Sequence, residues 1–252
     1  MERRERTEEK VQELFHAPAA GDEGTDPEFM QILQNYIFGD VCYTGSLDNR
    51  MRELVTITVL AAVQALPQLK AHLGACLHVG CTPVELREAV YQCAPFLGFP
   101  RTLNAIAVLN EVLTERGITL PLPRQGTLTS EQERYKKASA LQPPACGDAL
   151  RERCARLPGG FAQAVPRFLT ELSGDFATRS GLDGRTRELL TVVLLAALGG
   201  AAAQLKDHVR GALALGSTRE ELVCALVHAS AYMGSPRLFS TLDAAGELLE
   251  EP

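Results

Sequence analysis

The sequence contains no tryptophan, and aromatic residues make up only 6% of its 252 residues. This scarcity disfavours the aromatic platforms on which many proteins stack bases or sugars. Basic residues are also in the minority, with 25 lysine and arginine residues against 31 aspartate and glutamate residues and a net charge of −6. Because nucleic-acid-binding proteins present a basic electrostatic footprint, we expect no nucleic-acid partner.

Long apolar runs are missing as well. The longest, Leu189–Leu198, contains ten residues, whereas a membrane-spanning helix needs about 20. The N-terminal stretch is rich in arginine and glutamate and contains no apolar signal segment. We therefore predict a cytoplasmic protein with no membrane partner. The charged stretch Glu2–Glu13 itself is interpreted as a solvated helix or a frayed tail.

The remaining composition is that of a folded globular protein, with 46% hydrophobic and 22% charged residues. The chain is long enough for one large domain or two of ordinary size. Its seven cysteines are an odd number, and a core of this size does not need disulfides for stability. We therefore expect reduced thiols.

The most informative feature that is present is an internal repeat. The matched segments, in order, are Gly39-Asp40 with Gly174-Asp175, Leu47-Asp48 with Leu182-Asp183, Met51–Thr56 with Thr186–Thr191, Leu69–His72 with Leu205–His208, and Gly98–Arg101 with Gly234–Arg237. The offset is 135 before Gly199-Gly200 and 136 after it, so one residue is inserted there. The repeat predicts two fused copies of one module, at residues 1–116 and 131–252.

The segment between the copies, residues 117–130, contains two glycines and two prolines with few periodic apolar positions, as is typical of a linker. A second irregular patch is expected at Pro143–Gly147, inside the start of the second copy. Neither segment belongs to the repeated motifs.

Both copies carry helix signals and no sustained alternation of apolar and polar residues, so the predicted fold class is all-α. Helices over residues 49–64 and 184–198 are expected to begin at N-cap aspartates. The other signals are C-terminal glycines at Gly80 and Gly216, capping boxes at Thr82–Glu85 and Thr218–Glu221, and helix-opening prolines at Pro100 and Pro236.

These motifs resemble the carboxymuconolactone decarboxylase-like family, which includes the alkylhydroperoxidase D-like group. The second copy carries the whole pattern: Arg187, Glu188, His208, Gly216, Glu221, His228, Tyr232, Gly234 and Pro236. The first copy carries Arg52, Glu53, His72, Gly80, Glu85, Gly98 and Pro100. It departs from the pattern with Gln92 and Phe96, which stand where the second copy has His228 and Tyr232. The resemblance covers nearly the whole chain apart from the linker and the charged N-terminus.

The resemblance implies an all-helical fold that forms homo-oligomers. Single-module members assemble as hexamers with a ring-like arrangement. A fused pair of modules is therefore expected to form a trimer, with a dimer as the second choice.

The peroxidase-like branch of the family uses a Cys-x-x-Cys motif ahead of the helix histidine, in which one thiolate attacks and the other resolves. Here the corresponding positions are Ala65 and Gln68 in the first copy and Ala201 and Gln204 in the second. The missing cysteines disfavour a thiol-dependent peroxidase of that design.

The resemblance then implies a cofactor-independent lyase that acts on a small carboxylated lactone or related acid. Loss of CO₂ leaves electron density that must be delocalised and protonated, which histidine and glutamate side chains can assist. The expected catalytic residues are Glu188, His208, His228, Tyr232, Glu53 and His72. Arg187 or Arg185 is expected to anchor the substrate carboxylate. We expect neither a metal nor an organic cofactor.

The second copy is expected to carry the better-preserved site, built from Glu188, His208 and His228 with Tyr232 nearby. Gln92 cannot carry a proton, and Phe96 cannot donate a hydrogen bond. Glu53 and His72 of the first copy are expected to bind a ligand or to contribute to a shared pocket.

Three alternatives remain open at the level of the sequence. Each Glu–His pair can be a purely structural contact in the core. His72 and Cys76 are four residues apart, so the imidazole can activate the thiol as a nucleophile of a peroxidase with unusual cysteines. The third alternative is an oligomeric scaffold that retains the fold without activity.

Overall fold

The computed structural model describes residues 2–128, 130–141 and 144–250. All regular secondary structure within these ranges is helical, which confirms the all-α prediction. The helices of the first module are α1 (Arg3–Phe15), α2 (Pro27–Gln34), α3 (Asn49–Val63), α4 (Leu66–His78), α5 (Pro83–Tyr91), α6 (Ala94–Leu97) and α7 (Phe99–Glu115). A π-helical turn (Asn35–Asp40) and a short 3₁₀ turn (Val41–Tyr43) extend α2.

The second half of the chain contributes the remaining helices, which are α8 (Glu131–Leu141), α9 (Pro144–Cys154), α10 (Phe161–Ala177), α11 (Gly184–Leu198), α12 (Ala202–Ala214), α13 (Arg219–Met233) and α14 (Ser235–Leu249). In the described part of the chain, no helix has the length and apolar character needed to cross a membrane. The helix α9 corrects the expected irregular patch, because it begins at Pro144, where a proline is well tolerated. Pro143 lies outside the described residues.

The predicted helix caps are confirmed in both copies. Asp48 accepts a hydrogen bond from the Met51 amide at 2.8 Å, and Asp183 accepts one from the Thr186 amide at 2.9 Å. Two complete capping boxes begin α5 and α13, at Thr82 and Thr218. The turn between α3 and α4 contains two residues, whereas the turn between α11 and α12 contains three. The inserted residue therefore lies where the repeat offset changes.

One continuous hydrophobic core joins the two modules. At its centre the equivalent helices α3 and α11 pack against each other, and every residue from Arg52 to Ala62 of α3 is buried. Across this contact, α13 of the second module packs against α3, while α6 of the first module packs against α11. The contacts are reciprocal, as an approximate two-fold axis between the modules requires.

The N-terminal charged stretch forms α1, which confirms the expected helix, while the alternative of a frayed tail is wrong. Arg3 donates two hydrogen bonds to Asp40, at 3.1 and 2.5 Å. Val11 and Leu14 of α1 are buried, because they lie on the inner face of this helix between the charged positions. The helix thus covers one end of the first module.

The second module has an equivalent covering helix, α8, in which Arg134 forms the same paired contact with Asp175. Each covering helix, α1 or α8, passes over a Gly-Asp dipeptide of the repeat, which is Gly39-Asp40 in the first module and Gly174-Asp175 in the second. A Cβ atom on Gly174 would collide with Ala138, and one on Gly39 would lie 2.5 Å from the Thr7 hydroxyl. The close approach of the covering helix therefore requires glycine at this position in each module.

Candidate active site

Each module brings one glutamate and one histidine together. Nδ1 of His72 on α4 lies 2.8 Å from Oε2 of Glu53 on α3. Nδ1 of His208 on α12 lies 2.7 Å from Oε2 of Glu188 on α11. A carboxylate at Nδ1 fixes the orientation of the imidazole and leaves Nε2 as the ring atom for proton transfer.

The His-Tyr pair of the second module does not join the glutamate and histidine of that module. Nε2 of His228 lies 2.9 Å from the Thr56 hydroxyl on α3. The Tyr232 ring packs edge-on against His72, with 5.3 Å between the centroids. The expected grouping of His228 and Tyr232 with Glu188 and His208 is therefore wrong, because α13 packs against α3 of the other module. We call the set Glu53, His72, His228 and Tyr232 site A.

The Glu188–His208 pair is completed instead by residues of the first module. Phe96 on α6 packs edge-on against His208, with 5.7 Å between the centroids. Gln92, just after α5, accepts a hydrogen bond from Nη1 of Arg187 at 3.4 Å. We call the set Glu188, His208, Arg187, Gln92 and Phe96 site B. Both sites thus combine helices of both modules.

The two sites differ in their access to solvent. The side chains of Glu53 and His72 are 1% and 8% exposed, whereas those of Glu188 and His208 are 17% and 18% exposed. In site A, Phe15 at the end of α1 packs edge-on against His72 at 5.3 Å between centroids. Site A is therefore closed by a side chain of the covering helix.

Site B borders a cavity of about 150 Å³, whose walls include Glu188, His208, Ser173 and Ala177. By the repeat offset, Ser173 and Ala177 occupy the positions that Phe38 and Cys42 hold in the first module. Phe38 and Cys42 are buried in a hydrophobic cluster under α1. The smaller side chains of the second module leave this volume open beside its Glu–His pair.

The electrostatics of His228 limit its role in site A. Burial, together with the charges of Arg52 and His72, lowers the pKa of His228 from 6.5 to about 3. Because the Thr56 hydroxyl donates to the Arg52 carbonyl at 2.9 Å, its oxygen accepts the hydrogen bond from Nε2 of His228. At neutral pH His228 is therefore a neutral hydrogen-bonding group rather than the proton carrier expected from the sequence.

The chemical role of the Tyr232 hydroxyl in site A is also limited by its burial. Its hydroxyl is buried and has no hydrogen-bond partner of normal geometry among the described residues. Burial and the nearby Glu53 carboxylate raise the pKa of Tyr232 well above its ordinary value. The phenol stays protonated and is available only as a hydrogen-bonding group.

The two candidate anchor arginines lie in different places. Arg187 is buried and lines the cavity of site B. Arg185 is exposed, pairs with Glu221, and donates to the Gly216 carbonyl at 3.2 Å. Arg185 lines a separate surface cleft, so the structure brings only Arg187 to site B.

The cysteines of the first module offer no activated thiol beside His72. Cys76 is fully buried, and burial raises its pKa well above the ordinary value of a thiol. The six cysteines with described side chains are all free and buried, while the side chain of Cys146 is outside the described set. A buried, protonated thiol does not act as a nucleophile, which disfavours the His72–Cys76 alternative.

Some residues around the sites were missed in the sequence. Thr56 and its repeat equivalent Thr191 stand next to the sites, and their recurrence within Met51–Thr56 and Thr186–Thr191 was the available signal. Phe15 gave no signal, because its contact with His72 depends on the packing of α1. Glu88, which contacts Arg187 across the module boundary at 3.3 Å, gave none either.

Comparison with known proteins agrees with the repeat. The carboxymuconolactone decarboxylase family matches the chain twice, over residues 27–111 and 163–247. The chain is similar to a 4-carboxymuconolactone decarboxylase from Acinetobacter baylyi, with 33% identity over 91 residues, which are 36% of this chain and 68% of that protein. It is also similar to the nitrosuccinic acid decarboxylase npaB from Metarhizium robertsii, with 26% identity over 85 residues, or 34% and 59% of the two chains.

The second of these matches spans less than two thirds of the relative's own length. Each match covers about the length of one module, whereas the family matches together cover most of the chain. The chain belongs to the carboxymuconolactone decarboxylase family, as a member with two tandem helical modules.

Proposed function

We propose that the protein is a cofactor-independent carboxy-lyase that uses the Glu188–His208 pair on a small carboxylated lactone or related acid. The observation that carries this proposal is the 2.7 Å contact of the pair at the wall of a cavity of about 150 Å³. The names of the two relatives, both decarboxylases, support the reaction class.

In this reaction the bond between the carboxylate carbon and the adjacent carbon breaks, and CO₂ leaves. The electron pair of that bond stays on the substrate, where an adjacent unsaturated or carbonyl group delocalises it. His208 then delivers a proton from Nε2 to the substrate carbon, so that a C–H bond replaces the lost C–C bond. Glu188, held on Nδ1, fixes the ring and stabilises its charged form.

Site A supplies a comparison for the role of site B. It contains a Glu–His pair of the same geometry, but Phe15 packs on His72 and the pair is almost fully buried. A substrate therefore reaches site B more readily than site A. This difference supports the second Glu–His pair as the reacting one.

The test is an assay of CO₂ release with a panel of small carboxylated lactones and related acids. Replacing a catalytic histidine removes a general acid, so His208→Ala is expected to lower kcat by ~10²–10⁴-fold. His72→Ala is the matched control in the closed site and is expected to have a smaller effect. Full activity of His208→Ala, or equal losses in both variants, would contradict the assignment to site B.

We also propose that the chain forms a homo-oligomer, with a trimer favoured over a dimer. Large apolar side chains on its surface support self-association, among them Phe29 at 63% and Ile32 at 67% exposure. Light scattering coupled to size-exclusion chromatography measures the mass directly. A mass of one chain at micromolar concentration would overturn this proposal.

A further inference from the structure

Site B contains two buried donors for which the described residues supply no acceptor. Nε2 of Gln92 and Nε of Arg187 make no hydrogen bond to any residue in the described ranges. Both side chains are more than nine-tenths buried, at 5% and 6% exposure, and both line the cavity beside Glu188 and His208. Because buried polar groups in proteins are nearly always hydrogen-bonded, two neighbouring orphan donors point to an acceptor supplied by a ligand.

The orientation of the Gln92 amide follows from its neighbour. Nη1 of Arg187 donates to Oε1 of Gln92 at 3.4 Å. Rotating the amide by half a turn would place its NH₂ group against a guanidinium that can only donate. Oε1 therefore faces Arg187, and Nε2 is the amide atom that needs a partner.

The charges around Arg187 favour an anion as that partner. Glu88 is its nearest described carboxylate, but Glu88 already accepts two hydrogen bonds from Arg179, at 2.8 and 2.9 Å, and one from Arg87 at 3.3 Å. Three guanidinium groups thus share one carboxylate. Burial lowers the pKa of Arg187, with a smaller contribution from the nearby charge of Arg179. A further negative charge next to Arg187 would offset both effects.

We propose that Arg187 and Gln92 form a seat for a ligand carboxylate, and that Gln92, contributed by the first module, makes site B selective for it. A carboxylate only accepts hydrogen bonds, so it suits two converging N–H donors of which one is charged. The inference rests on the proposed function for the position of the reacting group, but binding at the seat does not require turnover.

The seat is expected to hold a carboxylate that does not react. Loss of CO₂ removes the negative charge of the reacting carboxylate, and donors that stabilise this charge bind the ground state more strongly than the transition state. Placing the reacting carboxylate at Arg187 would therefore slow the reaction. The seat instead positions the ligand so that its reacting carbon faces His208.

Site A has no such seat, although it is built on the same plan. The equivalent of Gln92 is His228, whose Nδ1 is an acceptor with no partner in the part of the chain that the structure describes. The equivalent of Arg187 is Arg52. Both guanidinium groups donate to backbone carbonyls, but Nε of Arg52 is paired with the Leu47 carbonyl at 3.0 Å, whereas Nε of Arg187 has no acceptor among the described residues. An unpaired acceptor repels a carboxylate, so Gln92 distinguishes the two sites in ligand chemistry.

The test is calorimetric titration of the full chain with succinate and glutarate, with succinamide as a neutral probe of similar shape. The wild type is expected to bind the diacids and not the diamide. Gln92→Leu removes the amide at similar size and should weaken diacid binding by ~10–100-fold. Gln92→Glu places a carboxylate beside Arg187 and should abolish binding. Gln12→Leu, on the exposed face of α1, is the matched control and should bind as the wild type does.

Several results would overturn the seat: equal affinity for diacid and diamide, no binding of either diacid, or unchanged diacid binding in both Gln92→Leu and Gln92→Glu. If the variants fail to fold, the side-chain amide signals of Gln92 in ¹⁵N NMR spectra of the wild type decide the question. They must shift when the diacid is added, and their failure to shift counts against the seat. Diacid binding that depends on Gln92, without CO₂ release from any acid, would leave the seat intact and refute the proposed lyase.

Discussion

Tyr232 of the second module packs edge-on against His72 of the first, with 5.3 Å between the ring centroids. The equivalent contact, between Phe96 of the first module and His208 of the second, spans 5.7 Å. Neither Glu–His pair is therefore completed within its own module. Duplication and divergence have produced one site with the full set of polar groups and a nearly buried Glu–His pair, and one with fewer polar groups beside a cavity.

The first prediction concerns the stability contributed by neutral His228. Its pKa is about 3 in the folded protein and 6.5 without burial, so the unfolded chain binds the extra proton between these values. The contribution of His228 to the free energy of unfolding should be constant above pH 6.5. It should decrease as the pH drops from 6.5 towards 3. The whole effect amounts to at most about 5 kcal/mol.

Denaturant unfolding at a series of pH values measures this dependence. His228→Gln removes the titrating group and should reduce the slope between pH 6 and 4 by up to about 1.4 kcal/mol per pH unit. Gln12→Leu is the control, because Gln12 is exposed and carries no titrating group, so its replacement should leave the slope unchanged. Identical slopes in His228→Gln and the wild type would mean that His228 is not the buried neutral group described above.

The fold followed from local signals more completely than the sites did. Asp48, Asp183 and the two capping boxes act within a few residues of the chain, so the helix starts were readable from spacing alone. The contact of His228 with Thr56 depends on whether α13 packs against α3 or α11. Because α3 and α11 are repeat equivalents, the sequence does not distinguish between these two packing arrangements. The internal repeat establishes that the two modules have the same helices. It does not show which helices of one module pack against the other.

The second prediction concerns Glu88, the carboxylate shared by the three guanidinium groups. Although burial opposes its ionisation, Arg179 and Arg187 lower the pKa of Glu88 below its ordinary value. Its contribution is therefore present above the ordinary glutamate pKa and is lost as the pH falls through the lowered one. Glu88→Gln leaves buried cations without a counter-charge and should cost about 3–5 kcal/mol in the free energy of unfolding.

The control for this variant is Glu8→Gln, which removes one partner of the exposed pair with Arg4. Surface ion pairs of this kind contribute little to stability, so Glu8→Gln should unfold near the wild-type denaturant midpoint. A Glu88→Gln protein as stable as Glu8→Gln would show that Arg179 and Arg187 do not depend on this carboxylate.

The third prediction concerns the closure of site A by α1. Phe15 contacts both His72 and Phe38, and its partly buried ring should contribute about 2 kcal/mol to keeping the helix in place. Phe15→Ala should therefore raise local opening by roughly 30-fold. The labelling rate of Cys42, which lies in the cluster under α1, reports this opening.

Cys93 is the internal control for that measurement. Burial raises the pKa of both thiols to about 12, but Cys93 belongs to the main core rather than to the cluster under α1. Faster labelling of Cys42 alone is expected in Phe15→Ala. Equal acceleration at Cys93 would indicate global unfolding instead of opening of the covering helix.

The last prediction exchanges the residues that distinguish the closed site from the open one. Ser173 lines the cavity of site B, whereas its repeat equivalent Phe38 is buried in the cluster under α1 and packs against Phe15, the side chain that contacts His72. Ser173→Phe should occupy the cavity and abolish ligand binding and turnover without lowering the melting temperature, because the new ring fills existing space. Ser173→Ala removes only the hydroxyl and should preserve binding. The reciprocal Phe38→Ser leaves a void under α1 and should cost about 3–5 kcal/mol in stability. Ligand binding retained by a folded Ser173→Phe protein would show that this cavity is not where the substrate lies.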